Sequence, residues 1–357
     1  MKVIEQAVRR VVENHSLGKT SFGRKRNYVR QDASPSEWFS TTRISVACLL
    51  LLASFVSFNS IATAQTIDRQ AIFSQALPLY EDNAQQPLGF QLVGVKVIGI
   101  ARMMRFSYLS TNNQRIPALL FMPLTVSNMH PAPCLILLHG LGGSKEQMAG
   151  LALTAASKGY ASLAIDEYGQ GERAQVVTDT APKIDTLALA IRQSVVDVRR
   201  GLDYLATRPN INSQRIGLVG VSFGAIIGTV AAGVDTRIKA SALVSGGGDL
   251  PVILKSLSAR NVTVGGRKMG VFAGTDWTRA AAALAPEDPL TFASHIAPRA
   301  LLMECGRKDA VIIPRSAQEL YAAAQQPKQI DWYGQYGHVP PPEIVYPAIE
   351  KFFAARL

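Results

Sequence analysis

Ile216-Gly217-Leu218-Val219-Gly220-Val221-Ser222-Phe223-Gly224, continuing through Ala225-Ile226-Ile227-Gly228-Thr229-Val230-Ala231-Ala232, is the stretch whose reading decides the fold. Its opening apolar run reads as a buried strand and its closing run of small apolar residues reads as a helix. Ser222 therefore sits on the turn between them. Such a turn forces the serine backbone into a strained conformation and lifts its hydroxyl clear of the sheet, so the flanking positions must be nearly free of side chain. Gly220 and Gly224 meet that need.

Outward from this turn, the chain alternates strand and helix. Upstream, Cys134 to Leu138 and Tyr160 to Ile165 are continuous apolar runs, as expected of strands covered on both faces. Helical stretches are expected from Lys145 to Lys158 and from Leu187 to Ala206. Downstream, Ala240 to Ser245, Ala300 to Glu304 and the weaker Gln329 to Tyr333 read as further strands. The pattern calls for an α/β fold with a mostly parallel sheet and helices on both faces. Phe90 to Gly99, Met104 to Leu109 and Ile116 to Met122 read as strands whose connections are too short for a helical crossover, so they are expected to pair antiparallel. Residues 65–89 read as an arm and 90–357 as the main domain. The excursion of about 246–289 interrupts the alternation and is expected to form a small cap or a long loop over the strand ends, where open parallel sheets hold their sites.

The chain has 357 residues, 48% of them hydrophobic, enough for a sizeable core. Its formal charge of +11 is unevenly spread: nine Lys/Arg and four Asp/Glu precede Ala64, which leaves 28 against 22. With no basic stripe interleaved with aromatics, nucleic-acid binding is not expected. Arg43, the apolar run Ile44 to Phe58 and the end Ala62-Thr63-Ala64 have the layout of a secretory signal over 44–64, cleaved after Ala64. Export to the periplasm or the medium follows. Residues 1–43 are then either an extended basic leader or lie before the true start. If left uncleaved, the uncharged run from Ile44 to Ile67 is long enough to anchor the chain in a membrane. Cys134 and Cys305 fall in apolar strands and read as reduced core thiols.

A serine hydroxyl needs a base to take its proton and a third group to orient that base. Of five histidines, His338 sits in the glycine-flanked loop after the last strand, placed to return across the sheet edge. Asp309, on the loop leaving the strand Leu301 to Cys305 through Gly306, is the expected orienting acid. Glu304 lies inside that strand and Asp331 inside the last one, which makes both poorer choices. The order serine, aspartate, histidine is the one a serine on such a turn requires. Developing negative charge needs rigid amide donors, and the backbone N–H groups of Phe223 and Leu141, in His139-Gly140-Leu141-Gly142-Gly143, are the candidates. His139 is expected to hold that turn and takes no catalytic step. Tyr168 and Trp277 are candidate pocket residues. Asp166 with Gly169-Gln170-Gly171 is expected to stabilise a turn, and Asp197 with Arg199 to form ion pairs. No His, Cys or carboxylate cluster has metal-ligand spacing, so neither metal nor organic cofactor is expected.

Taken in order, His139-Gly140-Leu141-Gly142-Gly143, Asp166-Glu167-Tyr168-Gly169-Gln170-Gly171-Glu172, Asp197 with Arg199 to Leu205, Arg215 to Gly224, Gly306-Arg307-Lys308-Asp309 and Gly337-His338 make the chain resemble the alpha/beta hydrolase superfamily. Within it, the dienelactone-hydrolase-like, acetyl-xylan-esterase-like and prolyl-oligopeptidase-like groups are the most similar. The resemblance implies hydrolysis of a small-molecule carboxylic ester through an acyl-enzyme on a Ser-His-Asp triad. Dienelactone hydrolases typically carry cysteine where Ser222 stands, which favours oxygen esters here. Prolyl oligopeptidases carry a separate propeller, for which the residues before Phe90 are too few. A peptidase or amidase acting on small peptides, and a catalytically silent binding protein on the same fold, remain the alternatives.

Overall fold

The computed structural model describes residues 68–357 apart from 112, 177–183, 261, 265, 269–271 and 273. The expected leader and signal therefore lie outside the described residues. Among the described residues, no helix is long and apolar enough to cross a membrane.

Nine strands form one sheet: β1 (Gln91–Ile98), β2 (Ala101–Leu109), β3 (Arg115–Pro123), β4 (Ala132–Leu138), β5 (Ala161–Ile165), β6 (Ile211–Val221) and β7 (Ile238–Val244), then, after the short hairpin β8 (Thr263–Val264) and β9 (Arg267–Lys268), β10 (Ala300–Gly306) and β11 (Lys328–Tyr333). The order is β1-β2-β3-β5-β4-β6-β7-β10-β11. The first three strands are joined by short turns and run antiparallel, and β3 carries that sense onto β5. Every pairing from β5 to β11 is parallel, through crossovers that hold helices. This is the alpha/beta hydrolase arrangement.

Alternation along the strands sorts the core into two layers. On β4, Cys134, Ile136 and Leu138 face one cluster while Leu135 and Leu137 face the other, as the period of two requires. The second cluster is closed by α2 (Ala149–Ser157), through Leu151 and Ala152, and by a C-terminal helix (Pro342–Ala354), through Ile349, Phe352 and Phe353. The first is closed by α3 (Ile184–Ala206) and α4 (Phe223–Val234). Helix α4 is the helix read from the small apolar run, and its residues from Phe223 to Gly233 are buried. A chain so uniformly apolar is tolerable only where neighbours surround it.

The expected helix over 145–158 divides into a 3-10 turn, Lys145–Met148, and α2. In that turn Lys145 points inward: its Nζ lies 2.8 Å from Asp166 Oδ2 and 2.6 Å from Glu172 Oε1, with the side chain fully buried. Before the sheet, α1 (Arg69–Ala76) is capped by Asp68, whose Oδ1 accepts from Ala71 N–H at 3.0 Å. Tyr80 follows, buried edge-on against Phe292, and its OH donates to Pro286 O at 2.7 Å. Residues 246–289 hold α5 (Leu250–Ala259), the β8–β9 hairpin and α6 (Trp277–Leu284). Cys134 and Cys305 are buried free thiols whose pKa burial pushes up to about 12.

Candidate active site

Strand β6 ends at Val221 and α4 begins at Phe223, which leaves Ser222 alone on the turn with φ 55° and ψ −110°. That left-handed backbone is costly for a residue with a Cβ. It is held by Ser222 N–H donating to Val244 O at 2.8 Å and Gly224 N–H donating to His139 O at 3.0 Å. A Cβ on Gly220 would stand 2.3 Å from Gly224 O, and one on Gly224 2.5 Å from Leu138 O. Both glycines are thus required by close backbone approach.

His338 Nε2 lies 2.8 Å from Ser222 Oγ, and His338 Nδ1 lies 2.8 Å from Asp309 Oδ2. The other carboxylate oxygen, Oδ1, accepts from Val311 N–H at 2.7 Å and Ile312 N–H at 2.9 Å, so Asp309 is fixed at both ends. Its side chain is buried, while that of His338 keeps 21% of its surface exposed. The two loops touch because Gly306 carries no side chain: a Cβ there would lie 2.0 Å from Gly337 O. Ser245, at the end of β7, steadies the histidine loop by accepting from Val339 N–H at 3.0 Å. A lone serine at a strand end gives no sequence signal of that role.

Glu304 does not reach the histidine. Its Oε2 accepts from Tyr333 OH, and its Oε1 is buried with no partner. Burial pushes its pKa up to about 7, against the lowering effect of the Tyr333 hydrogen bond. Asp331 lies on β11, with Oδ2 accepting from Gln329 Nε2 at 2.8 Å.

The loop after β4 passes close to the serine, with the Cβ position of Gly140 3.7 Å from Ser222 Cβ. Two of its amides are taken up: Gly143 N–H donates within the loop to Gly140 O at 3.0 Å, and Gly142 N–H donates across to Gln170 Oε1 at 2.8 Å. The amide of Leu141 is not among them. Phe223 opens α4, so its N–H has no acceptor within the helix. His139 is fully buried, its Nδ1 2.9 Å from Gly140 O, and burial holds its pKa below the usual imidazole range. It braces this loop from behind.

Asp166 stabilises the next loop, accepting from Lys145 N–H at 2.8 Å and Glu172 N–H at 2.9 Å as well as from the Lys145 ammonium. Beside it, Glu167 is buried with its Oε2 3.8 Å from His139 Nδ1, and burial holds its pKa well above the usual range, with Asp166 adding to the effect and the His139 backbone opposing it. Asp197 pairs with Arg173, and Arg199 with Asp82 and Asp235.

A cavity of about 90 Å³ opens beside Ser222. Leu141, Phe223 and Tyr168 line it, together with side chains from α3, α5 and the loop after β10. Trp277, expected in a pocket, is not among the lining residues. It starts α6 under the Asp276 cap and packs on the core beneath, as the apolar side of an amphipathic helix must. The wall that sequence reading overlooked is α5. Leu250, Ile253, Leu254 and Leu257 recur at one-turn spacing, a readable signal that the surrounding irregular stretch obscured.

Residues 116–339 match the family described as the dienelactone hydrolase family. Over 145 residues the chain is 32% identical to "Uncharacterized protein YcjY" of Escherichia coli (strain K12), covering 40% of this chain and 44% of that protein. It is 33% identical over 85 residues to "Putative hydrolase YtaP" of Bacillus subtilis (strain 168), covering 23% of this chain and 28% of that one. The chain thus matches less than half the length of either relative. Its fold is similar to that of an acetyl xylan esterase from Paenibacillus sp. R4, with TM-score 0.66 and 23% identity over 82% of this chain and 95% of that one. It is also similar to Acetyl Xylan Esterase 1 from Thermoanaerobacterium sp. JW/SL YS485, with TM-score 0.67 and 19% identity over 80% and 93%. At these identities the likeness to the solved structures is one of fold.

Proposed function

The chain belongs to the dienelactone hydrolase family, and on that footing we propose that it hydrolyses carboxylic esters through an acyl-enzyme on Ser222. The observation that carries this reading is the hydrogen-bonded line from Ser222 Oγ through His338 to Asp309. With Nδ1–H donating to Asp309, His338 presents an unprotonated Nε2 to the serine hydroxyl. As Oγ attacks the ester carbonyl, Nε2 takes the serine proton and the carbonyl electron pair moves onto oxygen. The Leu141 and Phe223 amides are the donors for that oxyanion. Collapse breaks the bond to the alcohol, which leaves with the proton from Nε2. Water then adds to the acyl-enzyme with Nε2 again as base, and Ser222 is restored as the carboxylic acid departs.

A fluorophosphonate probe is expected to label the folded protein, with the adduct mapping by peptide mass to Ser222 alone. Absence of labelling, or an adduct elsewhere, removes the assignment.

Export is part of the same proposal. It rests on Arg43, the apolar run from Ile44 and the Ala62-Thr63-Ala64 end. Protein recovered from its host is expected to begin at Gln65, and a mature chain retaining the residues before Ala64 counts against cleavage.

A further inference from the structure

Resting on the ester-hydrolase reading above, the cavity beside Ser222 allows its substrate class to be narrowed. We infer that the acyl group is an unbranched aliphatic chain of about four to eight carbons, and that sugar acetates are poor substrates.

Three observations carry this. First, the wall is mostly hydrocarbon. Leu187 and Ile191 from α3, Leu250, Leu254 and Leu257 from α5, and Phe272 from the segment after the β8–β9 hairpin face the space; Tyr168, Gln170 and Thr186 are the polar side chains beside Ser222, and no charged residue is among the described residues that line it. A carbohydrate would leave most of its hydroxyls without partners on such a surface, at a cost for each buried polar group. An alkyl chain instead gains from every methylene removed from water.

Second, the size fits a chain of limited length. A cavity of about 90 Å³ holds roughly six to nine water-sized groups at about 10–15 Å³ each. An acetyl group leaves most of that space unfilled, and a twelve-carbon chain exceeds it.

Third, the site has a direction. Leu141 and Phe223 line the cavity, so the carbonyl sits at its mouth. His338, which must protonate the leaving oxygen, is not among the lining residues and keeps 21% of its side chain exposed. The alcohol therefore departs on the His338 side, toward solvent, and the acyl chain occupies the cavity. Discrimination falls on the acid half of the ester, and a range of alcohols is accepted. Leu254 stands in the aliphatic wall, where a change of side-chain volume changes the space left for the acyl chain.

The test is a series of p-nitrophenyl esters from acetate to dodecanoate, with kcat/KM normalised to hydroxide hydrolysis and to active sites counted by fluorophosphonate titration. Burial of each methylene is expected to raise the value about twofold to fourfold, giving at least about a tenfold rise from acetate to hexanoate and a fall by dodecanoate. Leu254→Trp shifts the optimum to shorter chains and Leu254→Ala to longer ones. The active-site count makes the result independent of how much of each variant folds. Acetylated xylose, turned over more slowly than p-nitrophenyl hexanoate by the same normalisation, supports the assignment. Ser222-dependent turnover that is flat or highest at acetate overturns it, as does a profile that neither Leu254 variant moves. Loss of turnover on every ester together with absent labelling overturns the underlying hydrolase reading as well, so the two failures are told apart.

Discussion

Asp309→Asn is expected to lower kcat about 10⁴-fold while leaving the fold and the fluorophosphonate site in place. The cause is the proton inventory around the carboxylate. Oδ1 of Asp309 accepts two backbone amides, Val311 and Ile312, and Oδ2 faces His338 Nδ1. An asparagine keeps its single oxygen on the two amides, where an NH₂ would oppose two donors. Its NH₂ then faces Nδ1, which must accept, and the imidazole proton moves to Nε2. In that tautomer Nε2 donates to Ser222 Oγ and has no lone pair for the serine proton. Glu304→Gln, on β10 just before that loop, is the matched control: its carboxylate accepts from Tyr333 OH instead of facing the histidine, and kcat is expected to stay within a few fold of wild type. Pre-steady-state acylation kinetics on the two variants decide the assignment. A large loss in Glu304→Gln with little in Asp309→Asn would exchange their roles.

Lys145→Met is expected to destabilise the protein by about 3–5 kcal/mol, as when one partner of a buried ion pair is removed. Lys145 and Asp166 are both fully buried, and the ammonium also reaches Glu172 and Glu146. Burial works against the lysine charge, but the hydrogen bonds to Asp166 and Glu172 outweigh it and raise its pKa. Methionine fills the volume and leaves the Asp166 carboxylate with backbone donors but no counter-charge. The loss reaches the site through a short path: Asp166 holds the loop carrying Gln170, and Gln170 holds Gly142 next to the Leu141 amide. Urea unfolding measures the stability change, and the surviving folded fraction should show reduced kcat. An unfolding midpoint equal to wild type would mean the network contributes nothing net.

How far the chain could be read from its letters depended on whether a signal was local. Strand β4 and the β6–turn–α4 unit were legible because fully buried strands and helices leave continuous apolar runs. Asp309 and His338 were legible because each follows a strand end with a glycine beside it. Leu141 and Phe223 followed from the position of the turn. The Lys145 network was not legible: a lysine in a helical stretch reads as solvated, and only the approach of the Asp166 loop, some twenty residues later, turns it inward. For Trp277 the letters leave pocket lining and core or lid packing equally open, and its place on α6 sets it against the core.

By itself, the order of residues determined the strand–serine–helix turn, the parallel sense of the sheet beyond β3 and the candidate triad, since each depends on close neighbours in the chain and on a periodicity of two or 3.6. Only the tertiary structure decided what the serine faces. The aliphatic cavity draws its walls from α3, α5 and the loop after β10, segments spread over more than a hundred residues of the chain, and its depth is a property of their packing. Periodicity shows which side of a helix is apolar; the fold decides whether that side meets the core or a substrate.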